Sequence, residues 1–174
     1  MGKSSLINAL LNQKLVKTAK APGKTRSLNF IELNELIEKN NKVALPRLVD
    51  CPGYGFAKAS AQEKERWRKF MEMYLKDAQS LQRVFLCVDL KVGLHSSDKV
   101  IMEMMVDTGK PFSLILTKAD TIKAQSVEQK TQAIIDEVLK MGYGSLCMSL
   151  VHIVSSHTGY GIHELMCGLM HQLQ

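Results

Sequence analysis

Three short apolar runs, Val84 to Asp89, Phe112 to Thr117 and Leu150 to Ser155, each end at a polar or acidic residue, and longer amphipathic stretches separate them. A run of that length, apolar throughout rather than alternating, suits a strand buried on both faces. The rhythm predicts an α/β fold, βα units around a mostly parallel sheet with helices on both faces. In open sheets of this kind ligands bind beyond the carboxyl ends of the strands, so the residues that close the runs are the first candidates for a site.

The remaining pattern fills in the layers. Ser4 to Leu11 reads as the start of a helix, and Leu28 to Leu36 and Pro46 to Asp50 as antiparallel strands joined by the polar turn Lys39-Asn40-Asn41-Lys42. Ala61 to Gln79 carries Trp67, Phe70, Met71, Tyr74 and Leu75 at helical spacing, which places its aromatics in the core. Asp98 to Val106 and Val127 to Met141 have helical period. Ile162, Leu165, Met166, Leu169, Met170 and Leu173 form one stripe of a final helix, a packing surface rather than a functional one. With 174 residues, a single domain over 1–174 is expected.

Composition narrows the chemistry only a little. Lys and Arg outnumber Asp and Glu by 23 to 17, and a charge of +6 favours an anionic partner, although many proteins of this charge bind no nucleic acid. Cys51, Cys87, Cys147 and Cys167 form no C-x-x-C pair and read as reduced thiols. His163-Glu164 and His171 are too far apart to hold zinc as H-E-x-x-H does. No apolar stretch approaches the roughly 18 residues of a membrane span, neither end carries a lipidation signal, and Met1-Gly2-Lys3 opens directly on a motif. The expectation is a protein without a membrane partner, in the cytoplasm or in a mitochondrial or plastid matrix.

Gly2-Lys3-Ser4-Ser5 matches the end of the phosphate loop G-x-x-x-x-G-K-[ST], in which backbone N–H groups and a helix N-terminus cradle phosphates. Lys3 would reach the β- and γ-phosphates and the Ser4 hydroxyl would ligate Mg²⁺. Alone, G-K-S is common in lysine-rich loops; its weight comes from the motifs further along the chain. Asp50-Cys51-Pro52-Gly53 closes the strand Leu48-Val49-Asp50, so that Asp50 can hold Mg²⁺ through a water and Gly53 can offer its N–H to the γ-phosphate. An ordinary Pro-Gly turn has the same residues.

Thr117-Lys118-Ala119-Asp120 ends the next apolar run with the T-K-x-D form of a guanine-reading motif. One carboxylate accepts from guanine N1–H and the 2-amino group. Adenine offers neither donor, and a carboxylate left unpaired is costly, so Asp120 would reject ATP while accepting GTP. Lys118 would lie along the base and brace the phosphate loop. Val154-Ser155-Ser156 follows, where a backbone N–H could meet guanine O6. Pro22-Gly23-Lys24-Thr25 lies where a switch threonine would meet Mg²⁺ and the γ-phosphate, though a surface turn is also consistent with it. The ordered set points to a P-loop GTPase. Lys3, Thr25 and Gly53 are expected to act on the γ-phosphate. The wider contacts comprise Gly2, Ser4, Ser5, Asp50, Cys51, Pro52, the T-K-A-D residues and Val154 to Ser156.

Over essentially the whole chain these residues resemble the EngB (YihA/YsxC) GTPases, a translation-factor-related family serving assembly of the large ribosomal subunit. The resemblance rests on Gly2-Lys3-Ser4-Ser5-Leu6-Ile7-Asn8, Pro22-Gly23-Lys24-Thr25, Leu48-Val49-Asp50-Cys51-Pro52-Gly53-Tyr54-Gly55-Phe56, Glu65-Arg66-Trp67 and Leu116-Thr117-Lys118-Ala119-Asp120. It implies GTP and GDP as ligands, Ser4 and Thr25 as Mg²⁺ ligands, the loop Gly23 to Ser27, with Lys24 and Arg26, on the γ-phosphate side, K⁺ at a second site, and a ribosomal precursor or rRNA as partner; a monomer is expected. Tyr54 follows the D-x-P-G glycine where many small GTPases place a water-orienting glutamine, which implies slow hydrolysis unless a partner, a cation or rRNA completes the site.

Arg26 stands where the family usually has glutamine. Family members also carry a strand and a loop G-R-S-N-x before the residue matching Gly2, the asparagine being tied to the K⁺ site. The expectation is therefore a chain begun at an internal methionine, lacking the first strand and the first half of the phosphate loop; a native shortened form is the alternative. A G-domain-like interaction module that has lost nucleotide binding remains the competing function.

Overall fold

A computed structural model describes residues 2–11, 28–33, 37–39, 42–44, 46–53, 60–144, 147 and 151–171. In chain order the elements are α1 (Lys3–Leu10), β1 (Asn29–Glu32), β2 (Ile37–Lys39), β3 (Lys42–Ala44), β4 (Arg47–Asp50), α2 (Ala61–Asp77), β5 (Val84–Asp89), α3 (Ser96–Asp107), β6 (Phe112–Thr117), α4 (Val127–Lys140), β7 (His152–Ile153) and α5 (Ile162–His171). Short 3₁₀ turns at Ala119–Thr121 and Ala124–Ser126 lie between β6 and α4.

The apolar runs form a parallel sheet in the order β5-β6-β7, the third contributing only His152–Ile153 of the expected Leu150 to Ser155, with Val84 opposite Phe112, Asp89 opposite Thr117 and Leu116 opposite Ile153. Side chains alternate across a strand, so each continuous run supplies both faces. Leu86 and Val88 of β5, with Phe112, Leu114 and Leu116 of β6, pack against α2, α3 and α4 through Met71, Leu75, Met102, Met105, Ile134 and Val138. Cys87 and Ile115, one residue out of phase, pack against Leu6 of α1, Val154 and Leu165 of α5. Helices thus cover both faces, and every residue of β6 is buried. Cutting back one of these side chains, as in Leu116→Ala, would cost roughly 2–5 kcal/mol.

The expected hairpin between Leu28 and Asp50 is divided into two antiparallel ladders, β1 with β4 and β2 with β3. Residues 33–36 separate β1 from β2, whereas only residues 45–46 separate β3 from β4, and unequal lengths break a ladder. The Leu33 N–H still reaches the Pro46 carbonyl at 2.9 Å, but Pro46 has no N–H to return. The turn residues Asn40 and Asn41 lie outside the described residues. Neither ladder pairs with the parallel sheet among the described strands.

Ser60 and Glu63 form a capping box that starts α2, each side chain accepting from the other's backbone N–H. Met71 and Leu75 are buried and Trp67 and Tyr74 half-buried, but Phe70 is 37% exposed, which corrects its assignment to the core. It sits about 100° around the helix from Met71, at the edge of the buried stripe. In α5, Leu165 is buried with Ile162 and Leu169 at its margin, while Leu173 lies outside the described residues. No helix among the described residues is long and apolar enough to cross a membrane.

Candidate functional site

Gly2 caps α1 with φ of +81°, a backbone conformation that costs glycine little and other residues more. Gly2 has no side chain to cap the helix, and no acidic residue occupies its first turn. The cap residue thus supplies no acceptor to the leading N–H groups, and the positive end of the helix dipole suits an anion. Lys3 turns its ammonium to the Asp50 carboxylate and the Cys51 carbonyl. Asp50 is only 1% exposed, with the Asn29 amide at 3.5 Å, and a carboxylate so placed requires a cation nearby. Burial, against the pull of Lys3 and reinforced by the Asp50 charge, pushes the Cys51 thiol up to about 11. It stays protonated, faces the Val49 carbonyl at 3.8 Å and is a packing group, not a nucleophile.

The neighbouring strand ends build the other half of the site. Thr117 donates to the Val88 carbonyl at 3.2 Å, fixing the end of β6 against β5. Lys118 has φ of 59°, the positive-φ residue other than glycine among the described residues, and its ammonium pairs with Asp89 Oδ2 at 2.7 Å. Burial opposes ionisation of Asp89, but the Lys118 hydrogen bond and charge, with the Lys91 N–H, outweigh it and hold the carboxyl below its ordinary range. A Cβ on Gly2 would lie 3.9 Å from Lys118 Cε, so the lysine stem runs over the glycine of the phosphate motif.

Asp120 opens toward the loop before α5. Ser155 Oγ donates to Asp120 Oδ1 at 2.5 Å and accepts from the N–H groups of His157 and Thr158, each at 3.2 Å. Both acceptor positions of the hydroxyl being used, its one proton is directed at the carboxylate. His157 Nδ1 is 4.0 Å from Asp120 Oδ2. Beneath, the Ala119 N–H reaches the Val154 carbonyl at 3.1 Å and the Val154 N–H reaches the Leu116 carbonyl at 2.8 Å, joining the two loops.

Gly2, Ser5, Lys118, Asp120, Ser156 and His157 line one cleft of about 240 Å³. Residues from the start of the chain and from both later strand ends thus face the same space, with Lys3, Asp50 and Cys51 joined beside it. A larger cavity of about 620 Å³, among Ile122, Val127, Thr131 and Tyr160, shares Asp120 but none of the phosphate-motif residues, so size does not identify the site. Val154 is fully buried with its N–H in the sheet, and the Ser155 N–H goes to the Tyr160 carbonyl at 2.9 Å. Of the Val154-Ser155-Ser156 trio, it is Ser156 that lines the cleft. Ser4 is half-buried in the first turn of α1, and Gly53 half-buried beyond Pro52. Gly23, Lys24, Thr25, Arg26, Ser27 and Tyr54 lie outside the described residues.

Sequence reasoning assigns no role to Asp89, to the Ser155 side chain or to His157. Asp89 does carry a signal, being the acidic end of an apolar run as Asp50 is.

Residues 1–118 match a family described as 50S ribosome-binding GTPase. The chain is 39% identical over 166 residues to a probable GTP-binding protein EngB of Thermotoga petrophila, covering 95% of this chain and 78% of that one. To the protein of the same name in Gluconobacter oxydans it is 36% identical, covering 95% and 68%. Among solved structures, a probable GTP-binding protein EngB superposes with a TM-score of 0.66 at 23% identity, over 99% of this chain and 92% of that one. Translation elongation factor SelB of Methanococcus maripaludis with the GTP analogue GppNHp gives 0.62 at 18% identity, over 99% of this chain and 31% of the factor. At these identities the two structures show the fold alone.

Proposed function

Because the chain belongs to the EngB family of GTP-binding proteins, with the P-loop GTPase fold, we propose that it binds GTP and GDP with Mg²⁺, hydrolyses GTP slowly, and assists assembly of the large ribosomal subunit as a nucleotide-dependent switch. The observation that carries this reading is the shared cleft, in which Asp120 faces the same space as Gly2 and Ser5. A guanine edge on Asp120 would leave its phosphates at the start of α1.

Asp120 accepts from N1–H and the 2-amino group of guanine, held in place by Ser155, and Ser156 offers the neighbouring N–H to O6. Lys118 flanks the base while its ammonium stays with Asp89. The N-terminal N–H groups of α1 receive the β-phosphate, and Lys3 exchanges Asp50 and Cys51 for phosphate oxygens. A hydroxyl at Ser4 and a buried carboxylate at Asp50 are hard oxygen donors of the kind Mg²⁺ accepts while keeping its waters, and the cation now beside Asp50 is the Lys3 ammonium. Ser4, with Asp50 through a water and Thr25 from the switch loop, would hold the ion; bound there, Mg²⁺ would neutralise charge on the phosphates. Tyr54 offers no amide to orient water, which suits a switch better than a fast enzyme.

The ribosomal role draws on the family description and on the +6 charge. Titration with fluorescent GTP, GDP and ATP tests nucleotide choice: guanine nucleotides should bind and ATP should not compete. Equal affinity for ATP, or no binding of GTP, overturns the reading. Cosedimentation with large-subunit particles should depend on whether GDP or a nonhydrolysable GTP analogue is present, and indifference to nucleotide would remove the switch.

A further inference from the structure

Two distant elements hold consecutive carbonyls of the Asp50-Cys51-Pro52-Gly53 turn. Lys3 of α1 bonds the Cys51 carbonyl, and the Trp67 indole N–H of α2 donates to the Pro52 carbonyl at 3.2 Å. Trp67 is half-buried and packed against the main core, so the donor is fixed to the body of the protein, and Pro52 is itself buried. The Pro52 carbonyl and the Gly53 N–H are opposite ends of one planar trans peptide unit. Holding the oxygen toward α2 therefore aims the N–H the other way. A turn of this peptide that swung the N–H around would have to break the indole bond.

We propose that Trp67 is a positioning residue for nucleotide discrimination: by holding the Pro52 carbonyl it aims the Gly53 N–H at the place a γ-phosphate would occupy, and so links the nucleotide to α2. The inference rests on the GTP-binding reading above. GDP has no γ-phosphate to meet Gly53, so the indole bond should matter for GTP and not for GDP. The anchor also differs from Lys3, which must leave Cys51 to reach phosphate. Trp67 can stay.

The chain has one tryptophan, so its fluorescence reports this contact directly. The test is Trp67→Phe, which keeps an aromatic ring and removes the donor, with affinities measured for GDP and for a nonhydrolysable GTP analogue on the full chain. The analogue should bind about 3- to 10-fold more weakly and GDP within about 2-fold of the original. Equal weakening of both, or of neither, overturns the proposal. Should the variant not fold, the unaltered chain decides: a γ-phosphate on the Gly53 N–H polarises the carbonyl at the other end of the same peptide, so the emission of an indole that stays bonded there must differ between the GDP and analogue complexes, and identical emission counts against the coupling. If the unaltered chain binds neither nucleotide, the parent reading falls and takes this one with it; if both bind and Trp67→Phe does not separate them, only the positioning role falls.

Discussion

Ser155 Oγ donates to Asp120 Oδ1 at 2.5 Å, joining the loop after β7 to the 3₁₀ turn after β6. Because the same oxygen accepts from the His157 and Thr158 N–H groups, the hydroxyl cannot turn its proton toward either without opposing that donor. One oxygen of the carboxylate is thereby fixed before any base arrives. Such preorganisation lowers the ordering cost of binding.

Ser155→Ala removes that donor, from a residue that is fully buried, and strips the acceptor from the His157 and Thr158 N–H groups. Stability should fall by about 1–3 kcal/mol and GTP and GDP affinity by about tenfold, both nucleotides alike because both carry the base. Chemical denaturation and fluorescent-nucleotide titration measure the two effects. Unchanged guanine affinity in a folded variant would deny the hydroxyl any part in base reading.

Asp120→Asn replaces an acceptor with an amide that can donate. Preference should move from guanosine toward xanthosine triphosphate by at least about 100-fold, since a side chain that the bound base covers and faces with the wrong partner is left unmatched. Competition between the two nucleotides for the variant is the measurement. If the variant still selects GTP as strongly, the base lies elsewhere.

Ser4→Ala removes one hard oxygen at the start of α1. Chelating Mg²⁺ should weaken GTP binding to the original chain, and the variant should need at least about tenfold more Mg²⁺ to reach half-saturation. A Mg²⁺ titration at fixed nucleotide separates this from loss of the phosphate site. Identical Mg²⁺ dependence would place the ion on other ligands.

Asp89 is held below its ordinary carboxyl range by Lys118 and the Lys91 N–H, against the effect of burial. A carboxyl with a lowered folded-state value stabilises the fold above its unfolded value, near pH 3.9, and that contribution fades as pH falls through the folded value. Asp89→Asn should therefore cost less than about 1 kcal/mol at pH 7, the Lys118 partner being partly exposed, and the gap should close below about pH 4. Denaturation midpoints across that range check the sign. A gap that widened in acid would mean the pair is not what shifts Asp89.

Much of the fold is open to sequence reading. Val84–Asp89 and Phe112–Thr117 are strands at their expected bounds, because a short run apolar at most positions on both faces has few other ways to be buried. The hairpin reads as continuous in sequence because unequal segment lengths become visible only when the two strands are paired. Phe70 reads as a core residue because spacing alone does not show how wide the buried stripe of α2 is.

The sequence by itself determined which chemical groups stand at the strand ends: a glycine and lysine before a helix, an aspartate before Pro-Gly, a lysine and an aspartate after an apolar run. Those identities depend on local order alone. Only the tertiary structure decided that Lys3 pairs with Asp50, Lys118 with Asp89 and Ser155 with Asp120, and that Trp67 holds Pro52. Each partner belongs to a different element, and which groups meet depends on strand order and on how helices pack across the sheet, distances that no spacing along the chain encodes.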